Sequence, residues 1–190
     1  NFRKRNKINK SDVIIGYAGR YARQKNIYSM LIAFSKISKI NNKVYLYMVG
    51  RDINFENKEL SNYINNLKIN KKIFILKEKK SLKEFYNGID FLILASHSES
   101  FPNVIAESML CSTPVLSSDA GCSKKIINNF GFVMKNNDYQ SIFKNLRKTI
   151  FFLRYKKKKR KFFKKNSRLQ IKKNFSIPSM ANAYLKHWVF

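Results

Sequence analysis

The sequence predicts an α/β fold, a Rossmann-like parallel sheet of about six strands with helices on both faces and further C-terminal helices. Three observations carry that expectation. Apolar runs of three to seven residues recur along the chain, the stretches between them show apolar residues at helical spacing, and the first two runs end on glycine. Runs without polar alternation suit strands buried on both faces, and helices alternating with them imply a parallel sheet.

Residues 1–11 are polar and basic and read as a linker. Residues 13–19, Val-Ile-Ile-Gly-Tyr-Ala-Gly, form the first strand. Arg20 follows at once, and Lys25 stands just before Ile27, Met30, Leu31, Phe34, Ile37 and Ile40, which recur at helical spacing. Residues 44–50 are the second strand, with Arg51 and Asp52 in the loop after it. Leu60, Tyr63, Ile64 and Leu67 mark a helix and residues 73–76 a short third strand. Ser81, with Glu84 three residues later, reads as a capping box for a helix ending near Gly88. Residues 91–95, 114–117 and 132–134 supply the remaining strands. From Tyr139 the chain turns helical and very basic, and Phe175-Ser176-Ile177-Pro178 restarts a last helix through Tyr184 and Trp188. The expected division is a basic linker over 1–11, a Rossmann-like domain over 12–153, and basic C-terminal helices over 154–190 packing on that domain.

A chain of 190 residues with 44% hydrophobic content can bury one real core. No stretch approaches the roughly 18 apolar residues that cross a bilayer, and no signal-peptide pattern opens the chain. A cytoplasmic protein is expected, or one peripheral to the inner face of the plasma membrane, with an amino terminus trimmed before Asn1. Cys111 and Cys122 have no disulfide or metal spacing, and Cys111 reads as a core residue. With 39 Lys and Arg against 11 Asp and Glu, the net charge of +28 favours polyanionic partners. Abundant Lys, Asn, Ile, Phe and Tyr also suggest A/T-biased coding, which accounts for about half of that charge.

The densest charge run, residues 154–165, has three readings: a solvated helix face, a surface for anionic lipid, or a nucleic-acid patch. Phe162 and Phe163 amid lysines suit an interfacial helix. Nucleic acid is the least favoured, since no nucleic-acid-binding motif accompanies the run.

Residues 96–121 concentrate the chemistry. Glu99 and Glu107 stand seven residues apart, with Pro102 between them and the strand at 91–95 just before. Pro102 suits the first turn of a helix, so the strand delivers Glu99 to a loop and the helix carries Glu107. Such turns lie where open α/β sheets bind ligands. The N–H groups of Asn103 and Val104 in the first helical turn attract an anion. Carboxylates beside a phosphate need neutral donors of their own, and sugar hydroxyls supply them. That combination describes a nucleotide sugar. Arg20 and Lys25, after the first strand, lie at the end of the sheet where the loop at Glu99 should emerge.

The Glu99 to Glu107 spacing, Phe101-Pro102-Asn103-Val104 and Glu107-Ser108-Met109, followed by Thr113-Pro114-Val115 and Asp119-Ala120-Gly121, resembles the signature of the group 1 (family 4) retaining glycosyltransferases of the GT-B fold. Ordered motifs cover residues 12–138, and the C-terminal helices match more loosely. The resemblance implies that Arg20 and Lys25 hold the leaving nucleoside diphosphate, that Glu99 contacts the transferred sugar, and that Glu107 contacts the ribose. Arg20, Lys25 and Glu99 are then the catalytic set, and Asp52, Phe101, Pro102, Asn103, Val104 and Glu107 the donor-binding set. It implies no bound metal and no cofactor. Asp52 reads equally as a turn residue, His97 as a packing or solvent-facing histidine, and Asp119 as a turn former.

The pattern departs from the family at three places. Cys122 stands where paired glycines are usual and would narrow or reshape the sugar pocket, Lys125 replaces an acid, and the loop at 77–80 lacks a glycine near the base. Length differs as well, because a GT-B enzyme has two such domains with the acceptor half first. The expectation is therefore the donor-binding half of an enzyme that moves a hexose from a nucleoside-diphosphate sugar to a lipid-linked or polysaccharide acceptor, partnered by a missing N-terminal acceptor domain. Two rivals are a non-catalytic basic module for anionic membrane or nucleic acid, and a nucleotide-sugar epimerase of related fold.

Overall fold

The computed structural model describes residues 2–78 and 80–188. Asn1, at the head of the segment read as a linker, and Lys79, in the loop read as lacking a glycine, lie outside the described residues, as do residues 189 and 190. Six strands form one all-parallel sheet: β1 (Val13–Ala18), β2 (Val44–Val49), β3 (Ile73–Leu76), β4 (Phe91–Leu94), β5 (Val115–Ser118) and β6 (Phe132–Met134). Their spatial order is β3-β2-β1-β4-β5-β6. The chain builds outward from β1 to one edge, then returns to lay β4 against the free side of β1, with Ile15 opposite Phe91. That reversal puts the loops after β1 and β4 side by side at one end of the sheet, the usual ligand crevice of a doubly wound fold.

Side chains of β1 alternate between two apolar layers, as the two-residue period of a strand requires. Val13, Ile15 and Tyr17 face α2 (Ile27–Ile40), α3 (Lys58–Asn66) and α7 (Tyr139–Tyr155). Ile14 and Ala18 face the other layer, built by α4 (Lys83–Gly88), α5 (Asn103–Leu110), α6 (Ser123–Ile127) and part of α8 (Lys157–Asn174). Helices thus cover both faces, as the continuous apolar strands require. A last helix, α9 (Ile177–Trp188), follows α8.

Two local expectations are corrected. Residues 2–11 are no free linker: Phe2–Arg5 form a helical turn, α1, and the Phe2 ring is buried against Tyr47 and Phe85. Burial of one such ring stabilises by about 2–3 kcal/mol, and the Arg3 guanidinium adds an ion pair to Asp90. Ser81 forms no capping box. The helix starts at Lys83 behind Leu82, and Ser81 Oγ accepts only a long 3.5 Å hydrogen bond from the Lys83 amide.

Of the basic C-terminal helices, α8 packs on α5 and α7, and α9 lies chiefly against α8. Ser167 and Ile171, one turn apart, are the buried positions of α8, and Ile171 joins the core layer that holds Ile105 and Met109 of α5. Phe163 also turns inward, its ring 4.9 Å from Phe152, so only Phe162 of the pair read as interfacial is largely exposed.

Candidate active site

A cleft of about 1010 Å³ opens at the carboxyl ends of the strands, lined by the loops after β1, β2 and β3 and by α4, α5 and α8. Ala18 and Gly19 close β1, and Val49 and Gly50 close β2. Gly50 has φ +144°, and a Cβ there would stand 2.1 Å from the Gly19 carbonyl oxygen, so only glycine lets the two loops lie this close.

Arg20 and Lys25 line the cleft from the β1 side, and Val104 and Glu107 from α5. Glu99 reaches it through Lys25: the ammonium nitrogen lies 2.6 Å from Glu99 Oε1, with both side chains largely buried. The Ser96 hydroxyl donates to the same oxygen at 2.6 Å. Both bonds fall on Oε1, and Oε2 has no hydrogen-bond partner among the described residues. Glu107 is arranged alike. The buried Tyr86 phenol donates to its Oε2 at 2.8 Å, and Oε1 has no hydrogen-bond partner among the described residues. Burial, reinforced by the Glu107 carboxylate, pushes the Tyr86 pKa well above the ordinary phenol value, so this hydroxyl remains a donor at neutral pH.

The loop after β4 is held from two sides. Gly121, at φ +55°, lies so close that a Cβ would meet the Glu99 carbonyl oxygen at 2.0 Å, and the Cys122 amide donates to the Ser100 carbonyl at 3.0 Å. The Cys122 side chain packs on the core layer under α5 and does not line the cleft, contrary to the expectation that it narrows the pocket. His97 is a structural link: its amide donates to the Gln24 carbonyl, and its ring meets the Asn137 amide at 3.1 Å.

Of the residues singled out in the sequence, Arg20, Lys25, Val104 and Glu107 line the cleft, and Glu99 is tied to it by Lys25. Asp52, Phe101, Pro102 and Asn103 do not line it. Asp52 is exposed at φ +60° with its carbonyl accepting from Asn57, the Phe101 ring lies 5.8 Å from that of Phe175 at a tilt of 54°, and Pro102 is the cap of α5. The amides of Asn103 and Val104, in the first turn of that helix, have no backbone partner among the described residues.

Sequence reasoning missed Tyr86 and Ser96, which hold the two glutamates, and five further cations: Arg51, Lys80, Lys83, Arg168 and Lys172. Among the described lining residues, seven cations face two carboxylates, Glu78 and Glu107, so the cleft selects for an anion. Arg168 and Lys172 come from α8, one turn apart and next to the buried Ser167 and Ile171. That small notch in the charge run was the available signal. No cluster of three His, Cys, Asp or Glu side chains suited to a metal forms among the described residues.

The family model for glycosyl transferases group 1 matches residues 1–174. The chain belongs to this family. Among similar glycosyltransferases, the capsular polysaccharide biosynthesis enzyme CapM of Staphylococcus aureus is 26% identical over 193 residues, which is 96% of this chain and 49% of that protein. A glycosyltransferase from Rickettsia africae superposes with a TM-score of 0.83 at 23% identity, over 97% of this chain and 49% of that one. HepE of Anabaena, solved with UDP-glucose, superposes with a TM-score of 0.82 at 19% identity, over 99% of this chain and 52% of that one. The fold is therefore the Rossmann-like unit of the GT-B glycosyltransferases, and this chain spans about half the length of the relatives it matches.

Proposed function

We propose that this chain is the donor-binding half of a retaining glycosyltransferase that moves a hexose from a nucleoside-diphosphate sugar to a lipid-linked or polysaccharide acceptor, working in the cytoplasm. One observation carries the proposal. Arg20 and Lys25 from the β1–α2 loop and Glu107 from α5 line one cation-rich cleft, to which Glu99 is tied by its ion pair with Lys25, and each carboxylate has one oxygen already bonded. Arg20 and Lys25 hold the diphosphate and stabilise the charge it gains as the glycosidic bond breaks. Glu99 Oε2 accepts from a sugar hydroxyl, Glu107 Oε1 from the ribose, and the amides of Asn103 and Val104 add the positive end of α5. Asp52, Phe101 and Pro102 shape the surrounding loops rather than touch the donor.

The UDP-glucose bound to HepE and the capsule pathway named for CapM support the donor and acceptor classes. The need for an acceptor half is supported by α9, whose Ile177, Met180, Tyr184, Leu185 and Trp188 recur at helical spacing and are each more than half exposed. An apolar stripe of that kind suits burial against another domain.

Calorimetric titration with UDP, GDP and ADP tests the proposal. At least one should bind, and Glu107→Ala should weaken it tenfold or more, the loss expected for charge-assisted hydrogen bonds. Binding by none of them, or binding unchanged by the substitution, overturns it.

A further inference from the structure

A second concave surface lies at the far end of the molecule. The amino ends of α2 and α7 meet beside the cleft, where the Asn26 side-chain amide donates to the Asn137 carbonyl. Both helices run away from it for 14 and 17 residues, so their carboxyl ends lie about 20 Å distant. There they part around a groove of about 590 Å³. Its buried wall is Ile37 and Ile150, and its lip is Ile40, Phe151 and Tyr155, which are 65%, 56% and 65% exposed. Four cations ring it, Lys144, Arg147, Lys148 and Arg154, with no carboxylate among the lining residues. None of the four makes an ion pair among the described residues, and Arg154 reaches only the Asn41 side-chain oxygen at 3.4 Å. Exposed Lys156, Lys157, Lys158 and Lys159 continue the same edge into α8.

We propose that this groove docks the protein on an anionic lipid bilayer, with Phe151, Tyr155 and Ile40 entering the boundary between headgroups and acyl chains and the surrounding cations meeting lipid phosphates. Aromatic rings of this kind settle at the membrane interface, and each nearby Lys or Arg strengthens binding to an anionic leaflet by roughly fivefold. Bilayer is favoured over an acidic protein because the groove offers cations and apolar surface but almost no acceptors. Asn41 supplies the one side-chain amide in the lining, whereas a protein partner presents donors that need acceptors. The inference stands independently of the donor assignment.

A chain of charge +28 will adhere to anionic vesicles wherever its lysines lie, so the test must locate the contact. In a Trp188→Phe background, Phe151→Trp gives a single reporter at the groove lip. Its emission should shift to the blue with vesicles of phosphatidylcholine containing 30% phosphatidylglycerol at about 0.15 M salt, and not with phosphatidylcholine alone. Neutralising Lys144, Arg147, Lys148 and Arg154 to Gln should cut vesicle affinity at least tenfold more than neutralising four exposed lysines elsewhere, Lys58, Lys71, Lys124 and Lys125. Phe151→Ser with Tyr155→Ser should weaken binding at unchanged charge. The proposal is overturned by an unshifted emission, by equal losses in the two charge sets, or by polyglutamate shifting the reporter more effectively than the vesicles.

Discussion

Lys25 and Glu99 stand 74 positions apart in the chain, yet their charged ends meet at 2.6 Å in the cleft wall. In the proposed donor site, Lys25 would thereby fix the carboxylate for the sugar while its remaining N–H groups meet the diphosphate. Glu99→Gln keeps the shape and the partner for Ser96 but releases the lysine. A nucleoside diphosphate should then bind equally well or a few-fold more tightly, while the extra affinity of the corresponding sugar donor falls about tenfold. Paired titrations of the diphosphate and its sugar ester check this, and equal changes for both ligands would count against separate roles.

Gly121 holds the Glu99 loop from the other side. An alanine there must adopt φ +55° and bring its Cβ within 2.0 Å of the Glu99 carbonyl oxygen, a backbone atom that cannot swing away. Gly121→Ala should lower stability by about 2–4 kcal/mol and weaken donor binding with it. Denaturant melts with and without donor measure both effects. A variant of wild-type stability would mean that the loop has room to move.

How much of this was legible in the sequence depends on the range of the interaction. The strands and their glycine stops were readable because each is a local apolar run, and Arg20, Lys25 and Glu107 were readable because loops after strands converge in a doubly wound sheet whatever their sequence. Partners set by helix packing were not. Tyr86 looks like an ordinary core aromatic on α4, and nothing near it announces Glu107, 21 positions on. Arg168 and Lys172 are hidden in a run of cations, and their place in the cleft follows from the packing of α8 on α5. Phe2 misled for the opposite reason, since one ring among polar residues has no periodicity to show, although its burial pins the whole segment.

The Tyr86 phenol, whose pKa is raised by burial and by Glu107, gives a stability signature. Folded, it stays protonated above the ordinary phenol value of 10.0; unfolded, it ionises there. Its contribution is therefore fully present below pH 10 and is lost as pH rises beyond it, at up to about 1.4 kcal/mol per pH unit. Tyr17, buried and near the Glu99 charge, behaves the same way. Tyr86→Phe should make the alkaline decline shallower by about that amount, and at neutral pH it should weaken nucleotide binding several-fold by freeing Glu107 to turn. Urea melts from pH 8 to 11 test the first, and calorimetry the second. An unchanged alkaline slope would show that the phenol ionises freely in the folded chain.

Arg168 and Lys172 allow the cleft charge to be separated from the charge of the whole molecule. Each faces the cleft from a partly solvated helix, so neutralisation to Gln should weaken diphosphate binding by about two- to fivefold, the range for exposed charge pairs. If only net charge mattered, Lys157→Gln and Lys158→Gln at the other end of α8 would do the same. These lie 10 or more positions before Arg168 on the helix, about 15 Å or more along its axis, and ions screen exposed charges over about 8 Å at physiological salt. The distant pair should therefore leave affinity within twofold in 0.15 M salt, while the cleft pair reduces both the affinity and its dependence on salt. Titrations of the two double variants at 0.05 and 0.3 M salt decide between a built anion site and a uniformly basic surface, and identical behaviour of the pairs would remove α8 from the donor cleft.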